Sequence, residues 1–208
     1  MIDPADTVAM VSADIGKKLD LIRLRIDETW GAFIAEKKIN ELGCSCAEIK
    51  QSIDMLGHAW GIILFSLQST WIIGVSSLLD NDNGKCSIHN VLNALNDRSG
   101  YELSGIIKAC NKKREKYRSY RNNLFSHLHN DRVTLAERFD GDADFNFIEC
   151  ENDICFIDYA FKAAYSVNNG NGVPTEDMAR NMCFRHNASV KSVASHVEML
   201  LRHCANLT

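Results

Sequence analysis

Apolar residues step by three and four along most of this chain. Val8, Val11, Ile15, Leu19, Ile22, Ile26, Trp30 and Phe33 form one stripe, which predicts a long first helix. Gly43 and the Cys44-Ser45-Cys46 run break it. A second seam of Leu56, Trp60, Ile63, Leu67, Trp71, Val75 and Leu78 predicts a helix over about 47–79. Two helices this long, joined by a short turn, lie antiparallel in a bundle. Asp80-Asn81-Asp82-Asn83-Gly84 is a dense turn signal. Ile88, Val91, Leu92 and Leu95 predict a short helix over 87–95, with a second break at 96–100. Leu103, Ile106, Ile107, Cys110, Tyr117, Leu124 and Phe125 give a fourth helix one apolar face, from about Leu103 to near His127.

Between Asp131 and Asp158 the chain turns acidic and the period fades. Phe145, Phe147, Ile154 and Phe156 suggest a small hairpin around Glu151-Asn152-Asp153. Further helices are expected from Ile157, around Thr175 to Met178, and through Val190 to Cys204. The expected fold class is all-α: one domain over 1–208, an up-and-down helical bundle with long antiparallel helices. Its core covers about 5–130, and 131–208 form a decorated C-terminal third.

Composition changes this picture little. At 208 residues, 46% hydrophobic and 24% charged, the chain suits one well-buried globular domain. The start, Met1-Ile2-Asp3-Pro4-Ala5-Asp6, lacks the basic-then-apolar pattern of a secretory signal. Eight cysteines fit small buried thiols in a reducing, cytoplasmic setting better than a disulfide scaffold. The stretch from Ala59 to Leu79 carries no charge and is long enough to span a bilayer. Its mid-segment polar residues, Ser66, Gln68, Ser69 and Thr70, and its lack of basic flanks favour a buried central helix over a membrane span.

Charge is unevenly placed. The chain has 23 basic and 27 acidic residues, yet Lys108, Lys112, Lys113, Arg114, Lys116, Arg118 and Arg121 share the fourth helix with a single acid, Glu115. Tyr117 and Tyr120 interleave, and tyrosines can stack on exposed bases. Lys112, Lys113, Arg114, Lys116, Tyr117, Arg118 and Tyr120 are therefore the expected RNA-binding set. The bland alternative is a solvated helix face neutralised by the acidic segment that follows.

At the end of that helix stands Tyr120-Arg121-Asn122-Asn123-Leu124-Phe125-Ser126-His127. It resembles the R-(polar)-x4-H signature of the HEPN superfamily of small all-helical proteins. The long first helix, the second helix ending in Ser77-Leu78-Leu79-Asp80 and the Ser87-Ile88-His89-Asn90-Val91-Leu92 helix resemble its AbiU-type abortive-infection branch. The resemblance implies a HEPN-like bundle and a metal-independent endoribonuclease, a toxin or antiphage effector working as a homodimer. It makes Arg121 and His127 the catalytic pair and Asn122 their polar helper. Any antitoxin would be a separate chain. The residue types suit the chemistry, because histidine moves protons near neutral pH and an arginine fork matches phosphate oxygens. Residues six apart stand about 120° apart around a helix. Either the helix ends before His127, or two chains pool their residues across a two-fold axis. The rival expectation is a catalytically silent HEPN module that binds a partner or ligand.

No cofactor or metal is expected. Cys44-x-Cys46, Cys150-x4-Cys155 and Cys183-x2-His186 have ligand residue types without a paired zinc knuckle. Asp140, Asp142, Asp144 and Glu151 fall at calcium-loop positions, but Phe145 stands where the sharp turn needs glycine. His58 and His196 lie among apolar residues and read as core or interface histidines.

Overall fold

The computed structural model of the chain describes residues 4–55, 57–82, 84–126, 146–181 and 186–205. Every regular element among them is a helix: α1 (Pro4–Ser45), α2 (Ala47–Met55), α3 (Gly57–Leu78), α4 (Ile88–Ser99), α5 (Ser104–Ser126), α6 (Phe147–Asn168), α7 (Glu176–Asn181) and α8 (His186–Ala205). The fold is the all-α bundle the periodicity predicts. The long α1 is the spine, packed on α3, α6 and α8, while α5 covers α3 and α4 lies against α5 and α6.

The α1 stripe buries Ile15, Leu19, Ile22, Ile26, Trp30 and Phe33. These meet Trp71, Ile72, Val75, Leu78 and Leu79 from α3 and its end, with Cys110 and Tyr117 of α5 and Ile154, Ile157 and Phe161 of α6. Phe33 packs edge-on against Trp71 at 5.4 Å, and Trp71 against Tyr117 at 6.3 Å. A smaller core at the far end joins Ile39, Leu42, Ile49 and Leu201 of α1, α2 and α8.

Helices α1 and α3 run antiparallel, since Arg25 reaches Ser77 and Glu36 reaches Trp71. They come closest at Gly74. A Cβ there would stand 2.2 Å from Thr29 Oγ1, which is itself held on the Arg25 carbonyl at 2.7 Å. Only glycine lets the two backbones approach this closely.

Glu36 is a carboxyl inside this packing. It is 4% exposed, and the Trp71 indole N–H donates to it at 2.5 Å. Burial pushes its pKa from 4.5 up to about 7, and the Trp71 bond opposes that only in part. The folded chain therefore binds this proton more tightly than the unfolded one. Its contribution to stability is complete below pH 4.5 and is lost as the pH climbs through about 7. The loss is of the order of 3 kcal/mol at the most. Glu36→Gln keeps an acceptor for Trp71 without a charge to bury, so its urea midpoint is expected to stay level over this window while the wild type falls. Equal slopes for the two chains would refute it.

Four expectations are corrected. The segment read as a hairpin is the start of α6: Asn146 caps it, accepting from Ile148 N at 2.8 Å, and Cys150, Ile154 and Ile157 are buried at helical spacing. The apolar period continues through Cys150, so the polar Glu151-Asn152-Asp153 run is helix rather than turn. The helix expected over 47–79 is two, α2 and α3. The break at 96–100 falls later, because α4 runs to Ser99 and ends on Gly100, whose φ of 70° suits a residue without a Cβ. His58 and His196 are exposed, so neither is a core histidine. Helix α3 is long and apolar enough to cross a membrane by length and composition. Its second half, from Gln68 to Leu78, lies mostly in the core, while Ile62 and Ile63 in its first half are exposed.

Candidate functional site

Register decides what the basic helix can do. With Tyr117 facing the core, residues 113 and 116 fall on one flank and residues 114, 118 and 121 on the other. The first flank faces α6. Lys113 donates to the Asp153 carboxylate, and Lys116 reaches Glu149 at 2.6 Å and Asp153 at 2.9 Å. The Asp153 side chain is only 4% exposed. These two lysines hold the bundle together and are spent on acids of this chain. Tyr117 is fully buried and Tyr120 is 5% exposed. Neither ring can stack on a base, which corrects the expected RNA-binding set at those positions.

The second flank opens onto a cleft of about 140 Å³. Arg114, Arg118 and Arg121 line one wall, and Ser76, Asp80, Asn81, Asp82 and Lys85 the other. The opposing loop is tightly pinned. Ser87 Oγ donates to the Asp80 carbonyl at 2.5 Å and accepts from Asn90 N at 3.2 Å. The Asn90 side chain donates to the carbonyls of Asp82 and Lys85. Lys85 Nζ sits on Asp80 Oδ2 at 2.6 Å and Asp82 Oδ2 at 2.7 Å.

Electrostatics follow from this layout. Burial alone would raise the Asp80 pKa. The hydrogen bonds from Lys85 and the Asp82 N–H, with the charges of Lys85 and Arg121, outweigh it and hold Asp80 below the usual carboxylate range. Arg114 donates to Glu115 at 2.7 Å from its outer nitrogen. Behind it His89 is buried, and burial, then the Arg114 charge, push its pKa down, which favours the uncharged ring. Arg118 and Lys112 are exposed, as is Asn122 beside Arg121. The α5 helix is unbroken through Ser126. His127 lies outside the described residues.

A family model described as AbiU2, a HEPN domain, matches residues 48–156. The match spans more than half of the chain and takes in the cleft, Arg121 and His127. The chain belongs to the AbiU2 family of HEPN domains. No curated protein and no solved structure matches it.

Within this HEPN domain, sequence reasoning found the arginine wall and missed the wall facing it. Asp80 was visible only as part of a turn, and Lys85 lay just beyond it. Their signal was the pairing of acids and a lysine at the two ends of one short loop, but the target of that loop is a tertiary fact. All of α1 and all of α8 lie outside the matched span, yet α1 supplies the core on which α3 and α6 rest. The expectation of small buried thiols holds for Cys110, and Cys150 joins it: burial pushes Cys110 up to about 12 and Cys150 up to about 11, so both stay protonated, whereas Cys44, Cys86 and Cys155 are exposed. On α6, Cys150 is buried and Cys155 exposed, on different faces. Among the described residues no group of three or more His, Cys, Asp or Glu side chains gathers at metal-ligand range. The calcium-like acids Asp140, Asp142 and Asp144, and Cys183, lie outside the described residues.

Proposed function

We propose that this chain is a metal-independent endoribonuclease of the HEPN type, acting as a toxin or antiphage effector on RNA in the cytoplasm. Membership of the AbiU2 family supports it, and so does the observation that carries it: Arg121 lines a cleft with two further arginines. In this reading His127 takes or relays the 2′-hydroxyl proton, and Arg121 stabilises the charge of the crowded phosphorus. Asn122 orients the pair or the phosphate. Attack by the 2′-oxygen expels the next nucleotide's 5′-oxygen and leaves a 2′,3′-cyclic phosphate.

The active form is a homodimer. Helix α5 carries Arg121 and the next five residues without interruption. Six steps of helix separate two side chains by about 120°, which favours a site pooled across a two-fold axis. An antitoxin, as a separate chain, would control it. The test is incubation of the purified wild-type chain with mixed cellular RNA in EDTA. Cleavage with 2′,3′-cyclic ends is expected. An inert, well-folded chain would overturn the reading in favour of a catalytically silent HEPN interaction module.

A further inference from the structure

We infer that the cleft between Arg114, Arg118 and Arg121 and the Asp80–Lys85 loop grips consecutive phosphates of an RNA strand and leaves its bases outside. This rests on the nuclease reading for the choice of RNA, and it states how that strand is held and what the site ignores.

Size is the first argument. Pockets that enclose organic ligands run from about 300 Å³ upward, and this cleft holds about 140 Å³. Phosphate groups fit it, but a nucleoside does not. Its lining is the second. Every lining residue is polar or charged, and the two tyrosines of this helix segment are buried in the core. Among the described residues the cleft therefore has no aromatic platform and no apolar wall on which a base could rest.

Charge and spacing point the same way. Lys85 bridges both loop carboxylates, so their wall keeps one net negative charge against the three positive charges of the arginine wall, and the cleft is net positive. The arginine wall faces them across the opening, and guanidinium forks pair with phosphate oxygens. From residue 114 to residue 121 the helix rises about 10 Å. That rise is long enough to reach more than one phosphate of a single strand. An acidic peptide is the competing occupant. Peptides that dock tightly use buried apolar or aromatic anchors, and this cleft offers them no pocket.

The consequence is a substrate class: a polynucleotide with several consecutive phosphates, accepted whatever its bases at these positions. The experiment uses the full chain and fluorescent 2′-O-methyl oligonucleotides, which cannot be cleaved because the attacking hydroxyl is blocked. Oligouridine and oligoadenine of equal length are expected to bind alike, and uridine monophosphate to compete poorly. The Arg114→Gln/Arg118→Gln double variant should bind roughly tenfold more weakly and reduce the slope of log affinity against log salt by about 1.4, two lost phosphate contacts. Arg114→Lys/Arg118→Lys should keep the slope, and it guards against a folding artefact. Lys50→Ala, an exposed lysine on α2, should match the wild type.

A strong preference for one base composition would overturn the inference. So would an unchanged salt slope in the double Gln variant, or displacement of the oligonucleotide by polyglutamate as readily as by RNA. Cleavage by the wild type beside an unchanged double-variant slope would overturn this inference alone. Tight, slope-sensitive binding without cleavage would overturn the nuclease reading and leave the phosphate cleft standing.

Discussion

Replacing His127 with alanine is expected to slow RNA cleavage by roughly 10²- to 10⁴-fold, the usual worth of a positioned proton-transfer group. The fold is expected to survive the change, which far-ultraviolet circular dichroism checks. Arg121→Lys should fail as well. Lysine keeps the charge but loses the planar fork that pairs with two phosphate oxygens. His129→Ala is the control, since it stands just outside the motif spacing. Cleavage by His127→Ala equal to that of the wild type would remove the histidine from the chemistry. Loss of RNA binding together with cleavage would instead make the residue a binding group.

Asp153→Ala is expected to be the most destabilising single change on the α5–α6 contact. Its carboxylate is almost fully enclosed and receives both Lys113 and Lys116. Removing it strands Lys113, leaves Lys116 with the more exposed Glu149 alone, and lets the two ammonium charges oppose each other. Breaking a buried pair from one side costs about 3 kcal/mol or somewhat more. Urea unfolding followed by circular dichroism should show the midpoint fall with an unchanged slope against denaturant. Asp153→Leu with Lys113→Met and Lys116→Met should recover most of the loss, because a packed apolar trio has no charge to desolvate. A midpoint shift too small to measure for Asp153→Ala would mean that these lysines find other partners, and the first flank of α5 would again be open to RNA.

The fold was largely legible because its signal is local. A 3.6-residue apolar period survives wherever one face of a helix meets the core, and α1, α3, α4, α5 and α8 all carry it. The α6 start was misread for a physical reason. Cys150 and Ile154 carry the buried stripe there, and the polar residues between them, Glu151 to Asp153, look like a turn when the cysteine is not counted as apolar. Asp153 itself is buried only because two lysines from another helix meet it.

The sequence by itself determined that the chain is an all-helical bundle, that its cations concentrate on one helix, and that Arg121, Asn122 and His127 follow one another in a HEPN pattern. Tertiary structure decided which cations are available. A helix shows its neighbours different flanks, and only the placement of α6 and of the Asp80–Lys85 loop assigns those flanks. Lys113 and Lys116 went to structural acids, Tyr117 and Tyr120 to the core, and Arg114, Arg118 and Arg121 to a shared cleft. Partners far apart in the chain carry no periodic signal, so charge pairing between them becomes visible only once packing has brought them together.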